Sequence, residues 1–252
     1  MAGLKRFFVA NIGDTAVLDG EEFEHAKNVL RLGVGDEVVL LDNSGKEYTA
    51  VIASVEKRAM LLNVLGVKTG DKEAEERVAL VFGYLKNADK NEFIVQKAVE
   101  LGVSEIIAFS SEYSSAYMNE NKLERLNKVS KESAKQCMRS IAPKVEYAKT
   151  FCEALERVEN YKNKLFACEF ASESQTDVVS IFGSTAIVIG SEGGFSRAEE
   201  ELANEKGFSS VTLGKRILRA ETAAIALTSV VMFSLGELGD NSLKDKKCEG
   251  QV

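Results

Sequence analysis

The chain has 252 residues, is 45% hydrophobic and 28% charged, and carries a formal net charge of −7 with a pI near 5.1. That balance is ordinary for a soluble globular protein and excludes a polycation that grips nucleic acid over its whole surface; only local basic patches are left for such a role. No apolar run is long enough to span a bilayer, and the opening MAGLKRFFVANIGD has no hydrophobic core of the kind a signal peptide needs.

The predicted elements begin with a β-rich region over residues 1–72. EEFEHAKNVLRL spaces Phe23, Ala26, Val29 and Leu30 as one face of a short helix. DEVVLLDNSGKEYTAVIASVEKRAMLLNVLG then holds three short apolar runs, with Asp42-Asn43-Ser44-Gly45 as the turn between the first two. Short strands with tight turns need closure to remove their edges, so a small antiparallel barrel is expected. The charged stretch DKEAEE marks a domain boundary near residue 72.

From residue 73 to 240 strands and helices alternate. RVALVFGYL reads as a buried strand, and DKNEFIVQKAVELG as a helix with Phe93, Ile94, Ala98 and Leu101 inward and Gly102 at its end. SEIIAFS, KLFACEF, STAIVIG and SSVTLG read as further strands. A long helix through LERLNKVSKESAKQCMRS and two more near the end complete an α/β pattern with a mostly parallel sheet. Residues 241–252 read as a disordered tail. Cys137, Cys152, Cys168 and Cys248 show no CxxC spacing, and the lone His25 completes no metal cluster with them, so reduced cytosolic thiols and no metal are expected. Histidine is a residue type able to transfer protons, but the place of His25 in the first domain argues for a structural role.

Two stretches carry chemistry. In IVIGSEGGFSRAEEE a strand ends at Gly190 and runs into a glycine loop holding Glu192, at the sheet edge where open α/β folds keep ligands. Ser196 and Glu199 have capping-box spacing, so a helix starts there and stops near Gly207. Neither GxGxxG nor GxxxxGK[ST] is present, and Glu192 would repel a phosphate in the same loop. A ligand with hydroxyls, an adenine and a cationic centre fits better, and S-adenosylmethionine has all three. The alternative is a plain strand–helix connection whose glycines only make the corner. LGKRILRAETAAIAL repeats the design: a strand ends at Gly214, Lys215, Arg216 and Arg219 follow, and Glu221 opens a helix of small residues. If that turn is helical, the basic residues share a face; the alternative is a solvated basic turn before a core helix.

These two stretches together resemble the SPOUT methyltransferases, and among them the RsmE family of small-subunit ribosomal RNA methyltransferases. NADKNEFIVQKAVELGV resembles the family's KxDKxExIxQKxxELGV. KESAKQCMRSIAPKV resembles its EAxEQxxRxxxPxV at Glu132, Ala134, Gln136, Arg139 and Pro143, and HAKNVLRLGVGDEV resembles its N-terminal entry. The chain departs from the pattern in three places. Ser191 stands for the proline of IGPEGG, a change expected to loosen the loop without emptying the site. Tyr113 stands for an arginine, and Leu126 for a tryptophan.

The resemblance implies a C-terminal trefoil-knotted SPOUT domain, an N-terminal PUA-like RNA-binding barrel and a cytoplasmic homodimer. It implies methylation of uridine N3 in 16S rRNA, with the small subunit as partner and no membrane or metal. The cofactor residues so implied are Gly190, Glu192, Gly193, Gly194, Leu213, Gly214, Ile217 and Leu218. Arg219 would stabilise charge on the uracil or hold a phosphate, and Glu221 would act as a base or orient Arg219. RNA contacts are expected from Lys5, Arg6, Arg31, Arg139 and Arg216, with Lys5, Arg6 and Arg31 on phosphates and Arg139 alternatively reaching into the partner subunit's site. The competing readings are the same fold acting on another RNA site, and an inactive RNA- or ribosome-binding protein.

Overall fold

A computed structural model describes residues 3–114, 116–168 and 178–239, so the tail from residue 241 and Cys248 lie outside the described residues. The chain divides into two compact units, Met1–Glu73 with Lys131–Ala142, and Ala74–Ser130 with Pro143–Val252.

The first unit holds β1 (Lys5–Phe8), β2 (Thr15–Asp19), α1 (Gly20–Glu24), β3 (Glu37–Leu41), β4 (Lys46–Val55) and β5 (Ala59–Thr69). They form a five-stranded, barrel-like sheet in the order β1-β3-β4-β5-β2. The pairing is antiparallel as expected except at β1–β3, which is parallel. Two register shifts in the β4–β5 ladder, at Thr49/Ala50 and Ile52/Ser54, bend this long hairpin around its core. That core gathers Phe7, Leu18, Phe23, Leu40, Ile52 and Met60. The Asp42–Gly45 turn is set by the amide of Ser44 donating to Asp42 Oδ1 at 3.0 Å, with Asn43 and Gly45 at positive φ.

The helix expected over residues 21–32 is not continuous. α1 gives way to a π-helical turn over His25–Val29. The wider turn rotates the side chains off the α-helical face, so Phe23 and Ala26 stay buried while Val29 is 68% exposed. His25 packs edge-on against Phe7 within this core, a structural contact.

The stretch Lys131–Ala142 belongs to the first unit through polar anchors that no local pattern announces. The Glu73 carboxylate accepts from Arg139 Nε at 3.0 Å and from the amides of Ser140 and Ile141 at 2.9 and 3.0 Å. The Asn43 side chain bonds both the amide and the carbonyl of Ala142.

The second unit is a six-stranded, all-parallel sheet in the order β11-β9-β10-β6-β7-β8. The strands are β6 (Val78–Gly83), β7 (Glu105–Phe109), β8 (Val145–Ala148), β9 (Asn163–Ala167), β10 (Thr185–Ile189) and β11 (Ser209–Val211). Its helices are α2 (Ala88–Glu100), α4 (Phe151–Arg157), α5 (Arg197–Glu205) and α6 (Ala220–Ser234), and α3 (Glu120–Gln136) belongs to it as far as Ser130 and to the first unit from Lys131. Every residue of the central strands β6 and β10 is buried, as a parallel sheet covered on both faces requires. On one face Ala79, Val81 and Val188 pack with Phe151 and Leu155 of α4 and Ala203 of α5. α2 and α6 pack on each other, and α6 on β6 and β10. In α2, Ile94, Val95, Ala98 and Val99 are buried, while Phe93, expected inward, is 44% exposed. Its ring lies under the Lys97 ammonium, 5.8 Å from the centroid. Leu126, in place of a tryptophan, is buried.

Candidate active site

Because β9, β10 and β11 are parallel neighbours, the loops that leave them emerge at one edge of the sheet. They enclose a cavity of about 360 Å³. Its walls are residues 189–195 after β10, residues 211–218 after β11, Ala167 and Cys168 after β9, Glu200 of α5 and Ala223 of α6. All eight residues expected at a cofactor line it: Gly190, Glu192, Gly193, Gly194, Leu213, Gly214, Ile217 and Leu218. Ile217 is 79% exposed on this wall.

The first loop is built by close approach. A Cβ on Gly83, at the end of β6, would lie 2.5 Å from the amide nitrogen of Ser191, so only glycine lets the loop cross there. A Cβ on Gly193 would lie 2.7 Å from Cβ of Tyr113. Gly194 has φ +68° and donates its amide to the Ser191 carbonyl at 3.0 Å. Phe195 then anchors the loop in an aromatic cluster, its ring 4.2 Å from Phe166 and 5.5 Å from Phe151. α5 starts with the expected capping box, and the Glu199 carboxylate also accepts the amide of Glu112 at 3.0 Å.

Ser191 is held in this loop by a side-chain contact. It is buried, and its hydroxyl pairs with that of Ser111 at 2.9 Å. A side-chain hydrogen bond holds the position that proline's fixed φ would otherwise restrain. Glu192 accepts the amide of Lys86 at 3.2 Å, tying the glycine loop to the segment between β6 and α2. On the opposite wall, Cys168 Sγ lies 2.9 Å from Glu200 Oε1.

The second loop, residues 212–219, is not helical, so the expected shared face of Lys215, Arg216 and Arg219 does not form. The turn is made at Gly214, φ +101°, and the helix begins only after Arg219. Arg219 is the N-cap of α6 in extended conformation, and its side chain is exposed and makes no capping bond. Glu221, in the first turn of α6, pairs with Lys90 of α2 at 3.0 Å. Burial pushes the Glu221 carboxyl up, but its own amide, Lys90 and Arg219 outweigh burial and hold it below the ordinary glutamate value.

The five expected RNA contacts separate. Lys5, Arg31 and Arg216 are exposed, Arg31 with φ +57°. Arg6 is not available. Successive strand residues point to opposite faces, so Arg6 lies on the face of β1 opposite the core residue Phe7, where it is 8% exposed and pairs with Glu47 at 2.5 Å. Arg139 is also committed internally, 3% exposed and paired with Glu73 at 2.7 Å. Among the described residues no group of histidine, cysteine or carboxylate side chains could hold a metal ion, and no helix is long and apolar enough to cross a membrane.

Sequence reasoning missed Gly83, Phe195, Cys168, Glu200 and Lys90. A glycine closing a buried strand and an aromatic residue directly after Gly193-Gly194 were available signals for the first two. The others reach the site through tertiary contacts alone.

A parallel sheet whose adjacent loops wall one cavity, in a chain that also carries a small barrel-like sheet, defines a two-domain α/β protein with its ligand site at the sheet edge. A family model described as an RNA methyltransferase domain matches residues 72–232, and one described as an RNA methyltransferase PUA domain matches residues 18–65. Ribosomal RNA small subunit methyltransferase E of Bacillus subtilis is 31% identical over 233 residues, 87% of this chain and 90% of that protein. The protein of the same description from Mesomycoplasma hyopneumoniae is 40% identical over 161 residues, 63% of this chain and 70% of that protein. A solved ribosomal RNA small subunit methyltransferase E from Neisseria gonorrhoeae, bound to S-adenosyl methionine, superposes with a TM-score of 0.81. It is 28% identical, with 92% of this chain and 98% of that chain covered. A Legionella pneumophila methyltransferase in complex with the same cofactor gives a TM-score of 0.84 at 26% identity, with the same coverage. The chain belongs to the ribosomal RNA small subunit methyltransferase E family.

Proposed function

We propose that this chain methylates N3 of a specific uridine in 16S rRNA of the small ribosomal subunit, using S-adenosylmethionine. The observation that carries the reading is the convergence of both glycine loops on one cavity of about 360 Å³, a size suited to a cofactor. Its residues fit that cofactor chemically. Glu192 and Glu200 are carboxylates suited to a cationic ligand and unsuited to a phosphate. Leu213, Ile217 and Leu218 offer apolar side chains and backbone groups to an adenine. When bound, S-adenosylmethionine supplies an electrophilic methyl group on a positively charged sulfur.

The chain's own residues must expose the base, hold it in line and manage the N3 proton. Arg219, at the head of α6, stabilises the negative charge that the uracil gains when N3 is deprotonated. Glu221 is held ionised at a lowered pKa, which makes it a poor base and favours the orienting role. Lys5 and Arg31 in residues 1–72, and Arg216 in the catalytic domain of residues 73–240, contact phosphate. The loops at Gly190 and Gly214 form the C-terminal knot. The protein works as a homodimer, and the exposed Val230 and Phe233 of α6 supply apolar surface for it. A ribosomal substrate implies the cytoplasm.

Calorimetric titration tests the cavity. S-adenosylmethionine should bind with one site per chain at a Kd on the order of 1–100 μM, S-adenosylhomocysteine should compete, and ATP should not bind at comparable concentration. Tighter binding of ATP than of S-adenosylmethionine would contradict the reading.

A further inference from the structure

Glu221 is held in an unusual half-satisfied state. One carboxylate oxygen, Oε1, lies 3.0 Å from the Lys90 ammonium, and the side chains of Lys90 and Glu221 are only 28% and 14% exposed. The other oxygen, Oε2, is buried and has no hydrogen-bond partner. A buried carboxylate oxygen without a donor is costly, and is explained when a donor arrives in a working complex. Arg219 sits two residues away at the head of the same helix, its charge already felt by Glu221 and its guanidinium exposed.

We propose that Lys90 is a positioning residue: it clamps Glu221 through Oε1 so that Oε2 is presented to the Arg219 guanidinium when RNA is bound. This rests on the methyltransferase reading above. A planar guanidinium needs a fixed acceptor to hold its orientation, and a glutamate free to rotate would not provide one. Lys90 is itself well placed for the task. It lies in the first turn of α2, just past the Asn87 cap. The buried Asn91 side chain fixes the preceding segment by bonding both the amide and the carbonyl of Leu85. The amide of Lys86 in that segment donates to Glu192 of the cavity loop. The contacts therefore run from the cofactor wall, through the start of α2, to the head of α6. The other elements that pack on α6, namely β6, β10 and residues 178–180, contain no charged residue.

The test compares Lys90→Met, Lys90→Arg, Glu221→Gln and the Lys90→Met/Glu221→Gln double variant with wild type, on small subunits lacking the modification. Lys90→Met should lower kcat on the order of 100-fold, with KM for the subunit and Kd for S-adenosylmethionine within about 3-fold of wild type. Lys90→Arg should recover most of the loss. The double variant should be no worse than the poorer single, the mark of two residues acting as one unit. Without Lys90 the Glu221 carboxyl should titrate at higher pH, seen directly by carbon NMR and as an upward move of the acid limb of the kcat profile. A variant that loses its fold on melting is replaced in the comparison by Lys90→Gln. A kcat for Lys90→Met within 3-fold of wild type, losses that multiply in the double variant, or a loss carried by cofactor Kd would overturn the proposal. Absence of transfer by the wild-type protein would instead overturn the reading on which it rests, and this proposal with it.

Discussion

Replacing Arg219 with alanine should cut methyl transfer on the order of 1,000-fold while leaving the Kd for S-adenosylmethionine within about 3-fold of wild type. The split follows from position. The cavity walls end at Leu218 and resume at Ala223, so the Arg219 side chain is outside the residues that line the cofactor space. It is exposed and caps the helix through its backbone rather than its side chain, so its loss removes no structural bond. A guanidinium in that place has one use in the proposed reaction, to stabilise charge on the base. Arg219→Lys should restore only part of the rate, because a point charge replaces a planar, bidentate donor. Single-turnover kinetics with labelled cofactor would check both variants. Near-normal turnover in Arg219→Ala would remove the residue from the mechanism.

Gly83→Ala should destabilise the protein by about 2–3 kcal/mol and weaken cofactor binding at least tenfold. The added methyl group would stand 2.5 Å from the Ser191 nitrogen and 3.0 Å from the Gly190 carbonyl carbon. Both are backbone atoms, so no side chain can move aside. The β10 loop must shift, and with it Gly190, Glu192 and Gly194 in the cavity wall. Gly66→Ala provides the control, since a Cβ there meets nothing within 4 Å and its φ is ordinary. Urea midpoints and calorimetry on the two variants should diverge. Equal midpoints with unchanged affinity would show that the crossing of β6 and the loop is not as tight as described.

The cavity was legible in the sequence because its makers are local: a buried strand, a glycine loop and a helix start, written twice. Ser196 and Glu199 announced α5 for the same reason. β8 and α4 were not anticipated, being four and seven residues long and too short for a period to register. Val29 and Phe93 fell on the predicted inner faces and lie outside them. For Val29, a π-helical turn changes the spacing that the prediction assumed. Arg6 and Arg139 failed for a different reason. A basic residue reads as a phosphate contact until its partner is known, and Glu47 and Glu73 stand 41 and 66 positions away. Lys90 was missed by the same blindness in reverse, since its partner Glu221 comes from the far end of the chain. Composition and spacing reveal which residues a turn or helix needs; they do not reveal which charges meet across a fold.

The central claim is best tested by the transfer itself. Small ribosomal subunits from a strain lacking the modification are incubated with the purified protein and methyl-labelled S-adenosylmethionine, and the digested RNA is analysed by mass spectrometry. Label should appear in 3-methyluridine at a single position of 16S rRNA. Label in another nucleoside, or none while the cofactor binds, would contradict the claim.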